Sequence, residues 1–322
     1  ALAMVQALLL AFLVLSGNIQ VWHIVVLSLV LGSVSAFDTP GRQSFYIQLV
    51  DNRKEDLPNA IALNSIVFHV SRFLGPSLAG LIIAAFGEGV CFLINGLSYL
   101  PILASLLAIR IGRQERREKV RDAFAEFREG FEYLWSRLAI RNILLLVAAI
   151  SLLGWSYNIL LPVFAKDILG GGPLIFGFLT SAASVGAIAG AIYAASRRGL
   201  EGTARRSVIF AGVFGVALIL FSQSRSLGPS LLLMTLIGLG TMLHNTSANS
   251  FFQSMVDDDN RGRAMSLYAF AHQGLMPAGS LVLGILASFF GAPTSLLVGG
   301  AFCLLAVIIF GPRIISPKLQ PA

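Results

Sequence analysis

The chain alternates long apolar blocks with short polar stretches, and ten of these blocks are long enough to cross a membrane. A helix needs roughly 20 mostly apolar residues to span about 30 Å of hydrocarbon. The blocks cover residues 1–17, 20–37, 60–85, 89–109, 142–164, 174–195, 207–223, 229–253, 264–289 and 293–311. This pattern predicts an all-α integral membrane protein with about ten transmembrane helices in this chain.

Composition supports a lipid environment. Of the 322 residues, 56% are hydrophobic and 12% are charged, which is about half the charged share of a soluble domain. The mean hydropathy is +0.80. A soluble protein of this length would need more polar surface to cover its core.

The net charge of the chain is +7. The placement of its basic residues predicts the orientation of the protein in the membrane and argues against nucleic acid as a partner. If the helices alternate in direction, all but three of the 23 Lys and Arg lie at one membrane face. Lys166 and Arg225 lie at the other face, and Arg72 lies inside a block. Because positive loops stay in the cytoplasm, we expect a multi-pass protein of a cytoplasmic membrane, of bacterial type.

A long-range repeat predicts two related halves. Residues 44–87 resemble residues 250–291: Gly75 matches Gly279, Gly80 matches Gly284, and both copies end in Phe-Gly. The copies have the same orientation, as do parallel repeats related by an axis along the membrane normal. We therefore expect an N-terminal half over 1–109 and a C-terminal half over 142–322. Between them, residues 110–141 predict a cytoplasmic linker with an amphipathic helix.

Four motifs resemble exporters of the major facilitator superfamily. They are FDTPGRQSF at 37–45, EDLPNAIALNS at 55–65, RFLGPSLAG at 72–80 and DNRGRAMSLY at 259–268. They are most similar to the third drug:proton antiporter branch, which includes macrolide-efflux and enterobactin-export proteins. The resemblance implies the major facilitator fold of twelve helices, with helices 3–12 in this chain and helices 1 and 2 absent from it. It also implies a secondary transporter that exports drug-like or siderophore-like molecules by alternating access.

Two alternatives stay open beside an exporter: a lipid flippase of the same fold, and a transport-inactive membrane scaffold or sensor. An enzyme is disfavoured because the four His are scattered and no acidic residue is embedded in a block. We predict no cofactor and no metal; the expected partners are a small-molecule substrate and membrane lipids. All sixteen Asp and Glu lie in or beside predicted loops. The proton-coupling group, if there is one, is therefore Asp38, a His, or an acid in the two further helices.

Intramembrane polar residues are the candidates for a substrate cavity, because such groups avoid lipid and face a cavity or a partner. Arg72 lies twelve residues into its block, or about 18 Å at 1.5 Å per residue, and shares a helix face with Ser65 and His69. The structural alternative is an arginine that contacts backbone carbonyls or a neighbouring helix. The full set is Ser65, His69, Arg72, Asn158, Thr241, His244, Asn245, Asn249 and Gln273.

Two further groups of residues suggest moving parts. Gly75, Pro76 and Gly80 resemble the helix-5 antiporter motif of the family, and a proline in a helix removes a backbone donor and kinks it. Charged residues in the two matching cytoplasmic turns could form a latch between the halves, although solvated surface charge is the simpler interpretation. These residues are Asp38 and Arg42 at the inner end of one helix, and Asp259, Arg261 and Arg263 in the other turn.

The charge asymmetry predicts the topology. In the full-length protein carrying Cys91→Ala and Cys303→Ala, an impermeant thiol reagent added to intact cells should label Lys166→Cys. It should not label Arg113→Cys or Arg205→Cys until the cells are permeabilised. Labelling of position 113 but not 166 from outside would reverse the orientation.

Overall fold

A computed structural model describes residues 1–50, 71, 75, 78–108, 132, 134–197, 201–257 and 260–315. Every regular element in these ranges is a helix. The predicted all-α architecture is therefore confirmed for the described part of the chain. By length and composition, six helical stretches in this part could cross a membrane, with two shorter apolar helices at the start.

The helices coincide with the predicted blocks to within a few residues at most ends. They are α1 (Leu2–Leu15), α2 (Val21–Val50), α3 (Glu88–Ala108), α4 (Leu138–Ile168), α5 (Gly172–Ser196), α6 (Thr203–Gln223), α7 (Leu227–Met255), α8 (Arg261–Ala269) and α9 (Met276–Ile315). Most of the block at 60–85 lies outside the described residues, so the total of ten spans stays a prediction.

The second helix is longer than its apolar block. We expected it to end at residue 37, but α2 continues to Val50, so Asp38 and Arg42 lie within the helix and not at its end. A hydropathy block stops where polar side chains begin, whereas a helix stops where its backbone hydrogen bonds stop. Polar residues beyond the hydrocarbon can stay helical, and the prediction of this end was wrong for that reason.

The chain divides into two compact units, Ala1–Arg117 and Glu118–Ala322. Much of the predicted linker at 110–141 lies outside the described residues, and its boundaries stay a prediction. In the first unit, α1 packs on α3. A Cβ added at Gly96 of α3 would lie 2.6 Å from Leu8 Cδ2 of α1. A glycine here allows the two helices to approach closely, as small residues do in membranes.

In the second unit, α7 packs against both α5 and α6, and α6 packs against α9. The contact between α5 and α7 is made by small residues on both helices. A Cβ added at Gly186 would overlap Thr235 O, and one added at Gly238 would overlap Ala183 O. The two backbones are therefore in direct contact, which is how membrane helices gain van der Waals packing.

Two membrane helices of this unit are interrupted. Within α4, a π turn at Ile150–Gly154 is followed by a 3₁₀ turn at Trp155–Ile159. Another π turn, Phe270–Gly274, leads from α8 towards α9. The interrupted part of α4 lies against α9, where Ser156 Oγ is 2.7 Å from Leu152 O and 3.2 Å from Met276 O. This contact ties the two helices together beside their interruptions.

Two glycines that match in the repeat have the same backbone conformation. Gly87 has φ +82° and Gly291 has φ +81°, values that glycine adopts far more readily than residues with a Cβ. Each glycine separates one helix from the next: Gly87 precedes α3, and Gly291 divides α9 into two limbs. This shared turn supports the repeat that the sequence predicts.

Gly279 and Gly284, both in α9, should differ in their tolerance of alanine. A Cβ at Gly279 would overlap Leu152 O and approach Ser156 Oγ, whereas a Cβ at Gly284 would lie 3.8 Å from Ile159 Cδ1. We expect Gly279→Ala to cost about 1–3 kcal/mol by overpacking and to lower the denaturation midpoint by roughly 5 °C. Gly284→Ala should be neutral or stabilising by up to about 1 kcal/mol. Thermal unfolding of the purified full-length protein measures both, and equal effects would contradict the close contact at Gly279.

Candidate functional site

The interruptions of α4 and of the segment between α8 and α9 meet at a cluster of Ser151, Trp155, Tyr268 and His272, called here the ring cluster. Ser151 Oγ lies 3.4 Å from His272 Nδ1, and either atom can be the donor. The Trp155 and His272 rings are 5.0 Å apart in an edge-to-face arrangement, and those of Tyr268 and His272 are 6.2 Å apart. Both interruptions lie well inside their spans: Ser151 is about 20 Å from the start of α4 and His272 about 16 Å from the start of α8.

The ring cluster is partly open. Ser151 and Tyr268 are buried, whereas Trp155 and His272 are half-buried. Among the described residues, no hydrogen-bond partner reaches the buried Tyr268 hydroxyl. A buried polar group without a partner costs about 1–3 kcal/mol, so this phenol is available to a group that enters the cluster.

The chemistry of the ring cluster suits aromatic and cationic molecules. An indole face attracts cations and stacks on other rings, an imidazole edge can donate or accept a hydrogen bond, and a phenol can do both. No group of three or more His, Cys, Asp or Glu within the described residues is arranged to hold a metal ion. The cluster can therefore recognise a ligand by ring contacts and a few hydrogen bonds.

A second polar site lies where α7 packs on α6. His244 is fully buried, and its Nδ1 is 3.0 Å from Ser207 O and 3.1 Å from Ser207 Oγ. Its other ring nitrogen, Nε2, has no hydrogen-bond partner among the described residues, and neither has the hydroxyl of Thr241. His244 thus connects two helices inside the unit.

The remaining predicted cavity residues of the second unit lie in several places. Asn158 is in the interrupted part of α4, where Nδ2 donates to Trp155 O at 2.9 Å. Gln273 follows His272 directly and is exposed. On α7, Asn245 is half-buried, and Asn249 Oδ1 accepts a hydrogen bond from Gln253 Nε2 at 3.1 Å. Asn158 and Gln273 are thus close in sequence to the ring cluster, whereas the polar residues of α7 form a separate stripe.

The predicted residues of the first unit are mostly outside the described part. Ser65, His69, Arg72 and Pro76 all lie outside it. Of the two hinge glycines, Gly80 is buried, and a Cβ added at Gly75 would meet no atom of the described residues within 4 Å. The cavity and hinge roles of this group stay predictions.

Among the charges predicted to be cytoplasmic, Arg137 and Asp257 form a well-defined pair inside the second unit. Arg137, just before α4, makes a forked contact with Asp257 beyond α7: Nη2 is 2.6 Å from Oδ2 and Nη1 is 3.3 Å from Oδ1. The same Nη1 is 3.4 Å from Met255 O, the last residue of α7. Both side chains are about half exposed, at 43% and 55%, so water weakens the attraction.

Of the predicted latch residues, Asp38 is exposed on α2 and Arg263 is half-buried at the start of α8. Arg42 lies within α2 and Arg261 opens α8, and Asp259 lies outside the described residues. A latch between the halves stays a prediction.

Comparison with known proteins identifies the family. A family model described as "Transmembrane secretion effector" matches residues 1–320, nearly the whole chain. The chain belongs to this family. Its members are transporters of the major facilitator superfamily, so the protein is a multi-pass, non-enzymatic membrane transporter of small molecules.

Two bacterial relatives of this chain have names that state what they transport or export. The chain is 26% identical to the "Staphyloferrin A transporter" of Staphylococcus aureus over 92% of this chain and 74% of that protein. It is 23% identical to the "Multidrug efflux pump Tap" of Mycolicibacterium fortuitum over 94% of this chain and 76% of that protein. It is also 25% identical to the "Uncharacterized MFS-type transporter YfmI" of Bacillus subtilis, over 77% of this chain and 63% of that protein.

Sequence reasoning about this transporter missed three contributors: Tyr268 in the ring cluster, Ser207 beside His244, and Arg137 beside Asp257. Ser207 and Arg137 are joined to their partners by the fold and not by spacing along one helix, whereas Tyr268 lies four residues before His272 on the same stretch of chain. Ser207 and His244 are 37 residues apart, and Arg137 and Asp257 are 120 apart. A polar periodicity within one block detects a helix face, but it cannot identify which residue of another helix meets that face.

The contact between Arg137 and Asp257 predicts coupled effects on stability. Arg137→Ala and Asp257→Ala should each lower the free energy of unfolding by up to about 1 kcal/mol. The double variant should lose little more than either single one, because both remove the same contact. Arg137→Lys should retain only part of the stabilisation, since an ammonium group cannot form the two-pronged contact of a guanidinium with a carboxylate. Arg205→Ala, an exposed arginine near the start of α6, is the matched control; strictly additive losses would show that the pair does not interact.

Proposed function

We propose that this transmembrane secretion effector is a secondary active exporter of drug-like or siderophore-like molecules. It works by alternating access, and protons are the candidate coupling ion. The proposal concerns the full-length protein in a bacterial plasma membrane. It goes beyond the family assignment in its direction of transport, its substrate class and its coupling.

The observation that carries the proposal is the ring cluster, where two interrupted membrane helices meet. Backbone in a membrane must find its hydrogen bonds within the protein, so irregular helix turns occur where protein or a cavity surrounds them. Interrupted helices are also a common way for transporters to build substrate sites near the middle of the bilayer, and π turns are frequent at functional sites. Half-buried Trp155 and His272 place an aromatic surface at this interruption.

The relatives support the direction and the substrate class. One is named for multidrug efflux and another for transport of staphyloferrin A. A ring cluster with indole, imidazole and phenol groups is compatible with flat, aromatic or cationic drugs, which bind by stacking and cation–π contacts. Nothing observed favours a lipid flippase or a scaffold over this function.

We further propose that the substrate path has a contribution from each half. In the C-terminal half it would include the ring cluster with Asn158 and Gln273, and the polar stripe of α7 formed by Thr241, Asn245 and Asn249. In the N-terminal half it would include Ser65, His69 and Arg72, with Gly75, Pro76 and Gly80 as the hinge. The cytoplasmic charges Asp38, Arg42, Asp259, Arg261 and Arg263 would hold the halves together in one state.

Efflux of ethidium, a flat aromatic cation, tests the ring cluster. In cells that express the full-length protein at equal abundance, Trp155→Ala should reduce efflux about tenfold, because loss of a cation–π and stacking contact is worth roughly 1–2 kcal/mol. Trp155→Phe should retain part of the ethidium efflux. Trp135→Ala is the matched control, since Trp135 precedes α4 and lies near Arg141, at 5.5 Å. Equal efflux by Trp155→Ala and wild type would show that the ring cluster is not part of the substrate path.

The same assay tests Arg72. Arg72→Ala should strongly reduce efflux while abundance and membrane insertion stay normal, and Arg72→Lys should rescue only partly because it lacks the planar fork. Low abundance of Arg72→Ala would instead indicate a structural arginine. If wild type exports neither aromatic cations nor siderophores, the flippase or scaffold function replaces the exporter.

A further inference from the structure

One buried hydroxyl of the ring cluster is not used by the fold of the described residues. Tyr268 is 5% exposed, and no described residue forms a hydrogen bond with its hydroxyl. Buried polar groups in proteins are nearly always hydrogen-bonded, so each exception needs an explanation. Lipid cannot supply a partner within a membrane span. A molecule that enters the ring cluster can supply it.

The rings around Tyr268 form a row that becomes more open towards Trp155. Phe252 of α7 is 0% exposed, and its ring centre is 4.9 Å from that of Tyr268. His272 is next, at 6.2 Å from Tyr268, and Trp155 follows at 5.0 Å from His272. Both His272 and Trp155 are half-buried. A ligand that stacks on these two rings therefore has Tyr268 beside it on the buried side of the row.

The neighbouring hydroxyl groups already have partners. Ser151 Oγ lies 3.4 Å from His272 Nδ1, and Ser156 Oγ lies 2.7 Å from Leu152 O. A phenol is a better hydrogen-bond donor than acceptor, because one lone pair of its oxygen is delocalised into the ring. The Tyr268 hydroxyl is therefore complementary to a ligand atom that accepts a hydrogen bond, such as an ether, carbonyl or hydroxyl oxygen.

A buried donor distinguishes between ligands more sharply than an apolar surface does. A ligand without an acceptor covers the hydroxyl and leaves it unpaired, so the cost of the unpaired group remains in the complex. A ligand with an acceptor forms the hydrogen bond and removes that cost. An apolar surface, by contrast, discriminates only weakly between ligands that differ by one small group.

We propose that Tyr268 is a specificity-determining residue that donates its hydroxyl hydrogen to an oxygen atom of the substrate. The inference rests on the proposed export function and specifies its substrate class as aromatic cations that also carry an oxygen acceptor. Trp155 and His272 contact the rings and the charge of the substrate, and Tyr268 binds the oxygen. The hydroxyl is buried in the described conformation. Alternating access, in which the two halves move against each other, opens the substrate path at this place.

Two matched pairs of phosphonium cations test the proposal. (2-Methoxyethyl)triphenylphosphonium and butyltriphenylphosphonium differ only in an ether oxygen in the place of a methylene group. The 3-methoxypropyl and pentyl compounds repeat the comparison with a chain that is one carbon longer. Displacement of ethidium from the purified full-length protein, followed by fluorescence anisotropy, gives the dissociation constant of each cation. For each pair, the ratio of the two constants is compared between wild type and Tyr268→Phe, so that differences in ligand hydrophobicity cancel.

The preference for the ether over its alkyl partner should be about fivefold greater in wild type than in Tyr268→Phe for at least one pair, as expected for one neutral hydrogen bond. Tyr268→Phe should bind the alkyl cations as tightly as wild type or more tightly, because it lacks the hydroxyl that they leave unpaired. Tyr157→Phe is the matched control. It removes the hydroxyl of another buried tyrosine, whose ring is 6.3 Å from that of Phe214, and it should keep the wild-type preference. Equal preferences in wild type and Tyr268→Phe for both pairs would overturn the proposal.

Thermal unfolding without a ligand separates this role from a structural one. A hydroxyl without a partner in the fold contributes no hydrogen bond to stability, so Tyr268→Phe should leave the denaturation midpoint unchanged or raise it. A midpoint below that of wild type would show that the hydroxyl has a structural partner, and it would also overturn the proposal. If the ether preference depends on Tyr268 but cells do not export the ethers, export of these cations fails while the binding role of Tyr268 stands. If cells export them and Tyr268→Phe changes no preference, the exporter function stands without Tyr268 as its specificity residue.

Discussion

Hydrocarbon offers no hydrogen-bond partner to the peptide backbone, and the described structure follows from that single constraint. Each backbone N–H and C=O in a span must bond within its own helix or to a neighbouring protein group. Apolar burial cannot hold the helices together, since lipid tails are as apolar as leucine. Van der Waals contact between closely packed backbones holds the helices together instead. Gly186 and Gly238 allow α5 and α7 to make such a contact.

The same constraint explains why the interruptions of the helices are where they are. A π turn leaves carbonyl groups with poorer partners, so it needs a protein neighbour. In α4 that neighbour is α9: the hydroxyl of Ser156 contacts both Leu152 O and Met276 O, and Gly279 leaves room for the contact. The segment from Phe270 to Gly274 is interrupted in the same region, and the ring cluster lies between the two. A site built on such segments is held by packing on both sides, although its backbone is irregular.

The sequence predicted the helices well because the bilayer imposes a length. Nearly every apolar block in the described residues became a helix, and the matching Phe-Gly pairs became turns with the same φ at Gly87 and Gly291. The prediction of the end of α2 was wrong because hydropathy reports contact with lipid and not backbone hydrogen bonding.

The candidate site was only partly predictable. Its polar members on one helix, such as Ser151 and Trp155, are four residues apart, so the sequence alone places them on one helix face. The sequence alone does not place the partners on other helices, because only the fold brings His272 to Ser151 and His244 to Ser207. Which nitrogen of His244 is unpartnered is a consequence of one carbonyl group, and no periodicity contains that information.

The described connections between helices are short at one of the two membrane faces. At the face predicted to be outside, they are residues 16–20, Gly87, residues 169–171, residues 224–226 and Gly291. None is long enough to form a structured loop of its own. An antibody, a phage or a protease that approaches this part of the chain from outside would therefore meet only short segments between helices.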